Sequence, residues 1–262
     1  MVGDIVGAPG RKAFAETVKR FRSSGQADVV VANAENAAGG KGVTAAVVAE
    51  LLEAGADVLT LGDHTWDQKE AMETLEREPR LIRPANFPPG CPGRGVSTFE
   101  RRGVTVNVIN LVGRVFMSAV DCPFRTADRI LAEEVRRPGL ILVDIHAEAT
   151  SEKIVIGRYL DGRVTAVVGT HTHVQTSDDG LLPNGTAYMT DLGMTGPPEA
   201  AIGRDLESVT AMFLTAMPAR FRLGKGDAIV EGAIIDVDER DGRAASITRV
   251  RERPATWTPS TS

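Results

Sequence analysis

The stretch Leu140-Ile141-Leu142-Val143-Asp144-Ile145, which runs directly into His146, decides the fold class of this chain. Almost every residue in it is apolar, as is typical of a parallel strand buried on both faces. Two further strand-like runs, residues 56–61 and 164–168, also lead directly to histidines. Strand-like runs that alternate with helical patterns predict an α/β fold.

Helical periodicity and turn residues divide the rest of the chain into regular elements. The pattern predicts helices over residues 11–24, 44–54, 67–78, 124–137, 152–159 and 206–217. It predicts further strands over residues 28–32, 104–109 and 186–190, and a hairpin formed by residues 228–237 and 244–251. A run rich in proline and glycine predicts a long surface loop over residues 83–98.

Both ends of the chain carry their own signals. Met1-Val2-Gly3-Asp4 resembles the last residues of a first strand, so we expect that strand to be shortened. Residues 1–253 are expected to form a single domain, and the Pro/Ser/Thr-rich residues 254–262 a disordered tail.

Bulk properties narrow the possible functions. The chain has 262 residues, which suits one large α/β domain. Its net charge of -5 argues against general nucleic-acid binding by a basic surface. The 2 cysteines make no disulfide framework, and no long apolar stretch or signal peptide is visible, so a cytoplasmic protein without a membrane span is expected.

All 4 histidines lie just beyond a strand-like run. The carboxyl ends of strands form the ligand-binding crevice of open α/β sheets, so these imidazoles are expected to meet. A lone His146 is more often a hydrogen-bonded core residue than a ligand, and Asp63 alone could be a turn former. The joint pattern of histidines beside Asp or Glu predicts a metal centre.

The candidate ligands reach the same sheet edge from different strands. They are Asp4, Glu35, Asn36, Asp63, His146, His171 and His173, with His64 beside them. Mixed imidazole and carboxylate ligands favour transition metals over calcium or magnesium. The set is too large for one tetrahedral ion and fits two ions that share a carboxylate, roughly 3.5–4 Å apart. Iron, manganese and zinc are the expected metals.

Several segments resemble one known family. They are residues 3–11, 33–38, 83–88 and 190–197, the string His146-Ala147-Glu148-Ala149-Thr150-Ser151-Glu152-Lys153, and Gly169-Thr170-His171-Thr172-His173-Val174-Gln175-Thr176. Together they resemble the YmdB-type family of calcineurin-like metallophosphoesterases, and the resemblance covers nearly the whole chain. It implies a four-layer α/β/β/α sandwich with two mixed sheets. It also implies a dinuclear phosphodiesterase that acts on substrates such as 2′,3′-cyclic nucleotides.

The resemblance distributes the ligands between two ions. It implies that Asp4, Glu35, Asn36 and His173 hold one metal. Glu35 would bridge to the second, which Asp63, His146 and His171 complete. A hydroxide between the two ions would then attack phosphorus in line. His64 is the candidate acid for the departing ribose oxygen; its alternative role is to orient a ligand.

Arg114 and Thr150 are candidate substrate-binding residues. Arg114 could bind a phosphate oxygen by paired hydrogen bonds, and a structural salt bridge is an equally good interpretation of it. Small phosphodiesters and cyclic nucleotides are the expected substrates, and RNA ends are a further expected partner. The chain is also expected to be able to form a homo-oligomer.

Asp63 departs from the family pattern, which has asparagine between the glycine and the histidine of Gly62-Asp63-His64. The substitution adds one negative charge to the centre. We expect Asp63 to ligate still, holding metal more tightly but attracting substrate phosphate less.

Two other functions fit parts of the pattern. An amidohydrolase-type dinuclear enzyme usually carries its His-x-His pair on the first strand, whereas here the pair arrives at His171 and His173. A regulator that binds a nucleotide or partner and keeps the metal site with little turnover is the alternative that Asp63 leaves open.

Overall fold

Helices and strands alternate along most of the chain in a computed structural model that describes residues 1–253. The helices are α1 (Gly7–Ser23), α2 (Ala45–Glu53), α3 (Ala71–Arg77), α4 (Pro123–Glu133), α5 (Thr150–Leu160) and α6 (Leu206–Thr215), with a 3-10 turn at Asp63–Trp66. The strands of the first half are β1 (Asp4–Ile5), β2 (Val31–Asn33), β3 (Val58–Thr60), β4 (Leu81–Ile82), β5 (Val96–Arg101) and β6 (Val104–Val112). The remaining strands are β7 (Leu140–His146), β8 (Ala166–Thr170), β9 (Gly180–Leu181), β10 (Ala187–Met189), β11 (Met194–Thr195), β12 (Val230–Asp238) and β13 (Arg243–Glu252).

Two mixed sheets organise these strands. The six-stranded sheet has the order β5-β6-β7-β8-β10-β9, with parallel pairing between β6, β7, β8 and β10 and antiparallel strands at both edges. The second sheet contains the parallel strands β2, β3 and β4 and the antiparallel pair β12 and β13. Val2 joins these groups, because it bridges Ala32 on one side and Gly232 on the other. The β1–β11 pair lies beside this junction.

Three apolar cores show that the molecule has four layers, α/β/β/α, as the resemblance implies. Leu140 and Leu142 of β7 face the second sheet and pack with its Val31 and Val58. The alternate residues of β7 face the opposite way and pack against α4 and α5. A third core joins the second sheet to α1, α2 and α3. The alternation follows from the two-residue period of a strand.

The first strand is as short as expected. β1 contains two residues, preceded by the isolated bridges of Val2. A Cβ on Gly3 would lie 2.1 Å from the carbonyl oxygen of Gly193, so glycine is needed where the two backbones approach. This close packing fixes the position of Asp4, the next residue.

Some boundaries differ from the sequence prediction. The helix expected over residues 67–78 is shorter in the structure: α3 begins only at Ala71, and a separate 3-10 turn precedes residue 67. The loop expected over residues 83–98 ends earlier, because β5 begins at Val96 and pairs with β6. The tail predicted for residues 254–262 lies outside the described residues. None of the helices within residues 1–253 combines the length and apolar character needed to cross a membrane.

Candidate metal centre

The candidate ligands come together at the carboxyl ends of five strands. Strands β2 and β3 of the second sheet and the adjoining strand β1 deliver oxygen donors, and β7 and β8 of the six-stranded sheet deliver imidazoles. The oxygen donors are Asp4, Glu35, Asn36 and Asp63, and the imidazoles are His146, His171 and His173. The site therefore lies where the two sheets meet, with its oxygen donors on one side and its imidazoles on the other.

His146 occupies the middle of one donor group. Its Nε2 lies 3.2 Å from Glu35 Oε1 and 3.1 Å from Asp63 Oδ1. The Nδ1 atom of His171 lies 3.0 Å from the same Nε2 and 3.3 Å from Asp63 Oδ1. One ligand atom from each of these four residues lies within 4.8 Å of the others. This spacing suits a single metal ion between them.

Gly62 explains how the chain comes so close to this group. A Cβ on Gly62 would lie 2.2 Å from His146 Cδ2 and 2.4 Å from Glu35 Oε2. Any other residue would therefore displace two of the donors, which gives the glycine of Gly62-Asp63-His64 a steric reason.

A second donor group lies around Asp4. The Nε2 atom of His173 lies 3.1 Å from Asn36 Oδ1 and 3.8 Å from Asp4 Oδ1. The Nδ1 atom of His173 lies 2.9 Å from the carbonyl oxygen of Ile202, which can only accept, so Nδ1 carries the proton. Burial lowers the pKa of His173, so the ring is neutral and its Nε2 presents a lone pair.

With Asp4 ionised, three electron-pair donors thus meet with no hydrogen between them. Asn36 turns its amide nitrogen to the carbonyl of Gly40, 3.2 Å away, so its oxygen faces His173. Asp4 Oδ1 is buried and has no hydrogen-bond partner, while Asp4 Oδ2 accepts the backbone N–H of His171 at 3.1 Å. Buried acceptors are normally satisfied. A cation would satisfy this group, and the residues therefore fit a metal.

The electrostatics of the site lead to the same conclusion. Burial raises the pKa of Asp4 to about 7, although the charge of His146 lowers it. Burial also raises the pKa of Asp63, but hydrogen bonds from His146 and His171 outweigh it and hold the pKa below its usual range. Burial lowers the pKa of His146, yet Glu35 and Asp63 raise it well above its ordinary value. The carboxylates therefore favour a positive charge in their midst.

A buried hydrogen-bond chain orients His146. Its Nδ1 lies 2.9 Å from Thr170 Oγ1, and that hydroxyl donates to Asp144 Oδ1 at 2.7 Å. Thr60 Oγ1 and Asn33 Nδ2 donate to the other oxygen of Asp144 at 2.5 and 3.3 Å. Because Thr170 donates to Asp144, it accepts from Nδ1–H of His146, which leaves Nε2 free to ligate.

A buried ion pair holds the turn that carries His171 and His173. Lys153 Nζ donates to Asp191 Oδ2 at 2.6 Å and to the carbonyl oxygen of Thr170 at 2.9 Å. Asp191 Oδ2 also accepts the backbone N–H of Thr172 at 3.1 Å and its hydroxyl at 2.7 Å. Both histidines have positive φ angles, 100° and 62°, which cost energy in a non-glycine residue. The ion pair stabilises this strained turn.

Glu148 and Asp67 are further site residues that sequence reasoning missed. Glu148 Oε2 lies 3.1 Å from Nε2 of His171, which directs Nδ1 of that ring toward His146 and Asp63. Asp67 Oδ2 lies 3.0 Å from Nδ1 of His64. The signal was available in both cases, since each carboxylate follows a candidate histidine by two or three residues in its own loop.

His64 itself lies at the edge of the centre. Its backbone N–H donates to Glu35 Oε2 at 3.1 Å, and its side chain is 20% exposed. Because Asp67 bonds Nδ1, the Nε2 atom points to the opposite side of the ring. The geometry suits a group that exchanges a proton with a bound molecule.

The structure does not bring Arg114 and Thr150 into hydrogen-bonding contact with the histidines of residues 1–253. The guanidinium of Arg114 lies 3.6 Å from Cys122 Sγ, and its backbone N–H donates to Glu152. Thr150 is the exposed first residue of α5. Their roles toward substrate stay predictions.

Comparisons with known proteins give a consistent result. The family model described as "YmdB-like protein" matches residues 1–250. The 2′,3′-cyclic-nucleotide 2′-phosphodiesterase of Bacillus subtilis is 46% identical over 249 residues, which cover 95% of this chain and 94% of that protein. A hypothetical protein from Thermus thermophilus superimposes with a TM-score of 0.91 at 42% identity, covering 97% of this chain and 98% of that one. A phosphatase from Mycoplasma pneumoniae gives 0.90 at 32% identity, covering 96% and 92%.

Proposed function

The chain belongs to the YmdB-like family, and we propose that it is a metal-dependent phosphodiesterase that hydrolyses small phosphodiesters such as 2′,3′-cyclic nucleotides. One observation carries the proposal. Asp4 Oδ1, Asn36 Oδ1 and His173 Nε2 converge as acceptors beside the four-residue group around His146. Two adjoining groups of this composition suit a pair of metal ions better than any hydrogen-bonded alternative.

Each ion would have its own ligands and share one. Asp4, Asn36 and His173 would hold the first, and Asp63, His146 and His171 the second, with Glu35 between them. Iron, manganese or zinc suits these donors. Divalent ions at such a centre lower the pKa of water toward neutrality and offset the charge that develops on phosphate oxygens. The protein supplies the geometry through the Thr170–Asp144 and Lys153–Asp191 contacts.

His64 would protonate the departing ribose oxygen. Asp67 holds Nδ1 of its ring, and the Glu35 contact holds its backbone. Replacing His64 with glutamine is expected to lower kcat for 2′,3′-cyclic AMP by about 10²–10⁴-fold, the usual contribution of a general acid. The loss should be smaller with bis-p-nitrophenyl phosphate, because p-nitrophenolate leaves without a proton. Steady-state kinetics on both substrates measure this difference.

Metal content must be followed in the same preparation. Elemental analysis of His64→Gln is expected to match that of the unchanged protein. A variant that keeps full metal and full rate on the cyclic nucleotide would exclude the acid role. An equal loss on both substrates would instead mean that His64 orients a ligand.

Asp63 should tune the centre through its charge. Its Oδ1 lies within 3.3 Å of both His146 and His171, and an amide oxygen could occupy the same place. We therefore expect Asp63→Asn to bind metal more weakly but to show a higher kcat, because the centre gains one unit of positive charge toward the phosphate. Metal retention after dialysis and steady-state kinetics measure the two effects. Asp28→Asn, which makes the same change at an ion pair with Arg102, is the matched control.

Two outcomes of the Asp63 experiment are decisive. Weaker metal binding with faster turnover supports the charge effect. Metal content and kinetics identical to those of the unchanged protein would reject it.

Turnover itself is the test of the proposed function. Metal-loaded protein is assayed with 2′,3′-cyclic AMP and bis-p-nitrophenyl phosphate, and the nucleotide product is identified chromatographically. Cleavage of the bond to the 2′ oxygen gives the 3′-monophosphate. A full metal content without turnover of either substrate would favour a nucleotide- or partner-binding regulator instead.

We place this activity in the cytoplasm. Cys91 and Cys122 are free thiols, as the sequence predicts, and both are partly exposed. Free thiols persist in a reducing compartment. RNA ends that carry a 2′,3′-cyclic phosphate are a chemically equivalent substrate class, and a homo-oligomer is compatible with the described surface.

A further inference from the structure

We propose that Phe116 binds the nucleobase of the substrate by stacking, in a subsite at the rim of the metal centre. The inference rests on the proposed function and adds a specificity-determining residue to it. Phe116 is 89% exposed, although phenyl groups are usually buried. Its loop, residues 113–122, joins β6 to α4.

The loop starts directly beside the centre. Val112, the last residue of β6, lies opposite His146 in the sheet register. The backbone N–H of Gly113 donates to the carbonyl oxygen of His146 at 2.9 Å. Phe116 is therefore three residues from a backbone contact with a candidate ligand.

A second contact brings the loop back toward the centre. The backbone N–H of Glu148 lies 3.4 Å from Met117 Sδ, and the Glu148 carboxylate lies 3.1 Å from His171 Nε2. The residue that follows Phe116 thus touches the residue that orients His171. Both contacts bring the loop that carries Phe116 to the side of the centre formed by His146 and His171.

The loop is held rigidly on both sides of Phe116. Oε2 of Glu152 accepts the backbone N–H groups of Arg114 and Val115 at 3.0 and 3.2 Å. The backbone N–H of Asp121 donates to the carbonyl of Asn86 at 3.0 Å. Phe116 has a φ of 63°, a conformation that is rare and costly for a bulky residue. Strained residues are retained where they serve a site.

A second exposed aromatic side chain belongs to the turn that carries Asp63 and His64. Trp66 is two residues beyond His64, is 38% exposed, and packs with Phe87 at a centroid distance of 5.6 Å. Phe87 adjoins Asn86, the residue that anchors the loop. Trp66 and Phe116, here called the aromatic rim, therefore belong to segments that each contact the centre, and in the proposed subsite a base attached to a bound phosphate would lie against them.

Stacking on an aromatic face is tolerant of base identity, since every base has a π surface. The subsite thus predicts that nucleotides bind more tightly than phosphate alone, with little preference among bases. Loss of one stacking residue weakens binding by about 5- to 150-fold.

The test compares two ligands that share a phosphate but differ in the base. Isothermal titration calorimetry measures the affinity of metal-loaded protein for adenosine 3′-monophosphate and for inorganic phosphate. In Phe116→Ala the ratio of the two affinities is expected to fall by about 5- to 150-fold. Phe116→Tyr should restore it. Phe213→Ala, which removes another exposed phenyl (77%) on α6, is the control and should leave the ratio unchanged.

Three results would overturn the proposal. The ratio could stay constant in Phe116→Ala, both ligands could weaken equally, or tyrosine could fail to restore the ratio. An equal loss would mean that the loop acts on the metal centre through Glu148. The binding measurement does not depend on turnover. If the protein did not hydrolyse 2′,3′-cyclic AMP but the ratio of affinities still fell in Phe116→Ala, the proposed reaction would be rejected and the base subsite retained.

Discussion

His146→Ala is expected to lower kcat/KM on 2′,3′-cyclic AMP by more than the roughly 10²–10³-fold that loss of a single transition-state donor costs in other hydrolases. The loss is larger because the Nε2 atom lies within 3.2 Å of Glu35, Asp63 and His171 together. Removing it also takes away the imidazole that contacts both Glu35 and Asp63. Initial rates and metal content per chain measure the effect, and we expect at least one ion to be lost.

Thr170→Val is a milder variant that disturbs the orientation of His146 without removing it. It removes the 2.9 Å contact to His146 Nδ1 but keeps the imidazole. Loss of such an outer partner typically costs about 10–100-fold in metal affinity or activity. Circular dichroism and thermal unfolding verify that each variant folds, and His146→Asn replaces the alanine variant if it does not. A variant at position 146 with unchanged metal content and rate would remove His146 from the centre.

Lys153→Met is expected to lower the free energy of unfolding by about 3–5 kcal/mol, because it leaves Asp191 as an unpaired buried charge. The Lys153 side chain is 1% exposed and that of Asp191 is 0% exposed. Since Asp191 also holds Thr172, the turn between His171 and His173 should loosen, and metal affinity should fall with stability. Urea denaturation of the metal-free protein and metal titration measure the two effects separately.

Two further variants make this result interpretable. Arg77→Met breaks an exposed ion pair with Glu73 on α3, and surface pairs of this kind contribute little. The double variant Lys153→Met/Asp191→Asn removes the unpaired charge and should recover part of the stability. If Lys153→Met were no less stable than the Arg77 control, the buried pair would not support the turn.

The positions of the strand ends could be predicted from the sequence by a simple geometric rule. An apolar run such as residues 140–145 reports a buried strand, and parallel strands present their carboxyl ends at one edge. The rule predicts that His146 and His171 lie near each other, and in the structure two of their ring nitrogens lie 3.0 Å apart. The family resemblance implied the division into two sheets, whereas the order of the strands was not predicted, because periodicity does not report which strands pair.

The supporting contacts were harder to foresee. Lys153 and Asp191 are 38 residues apart in sequence and become partners only when α5 packs on the six-stranded sheet. A lysine in a helix is usually exposed to solvent, so the sequence gives no sign that Lys153 is buried. The strands β1, β4, β9 and β11 have two residues each, too few to show a period of two.

The division of the candidate ligands between the two sheets has a consequence for biogenesis. The carboxylates and the amide emerge from the ribosome early, and both His171 and His173 only after nearly two thirds of the chain. In the proposed centre, metal binding would therefore be a late event that requires the sheets to be docked, so it should stabilise only the completed domain. The nascent chain would have no activity until then. Metal supply would limit the last step of maturation and would not initiate folding.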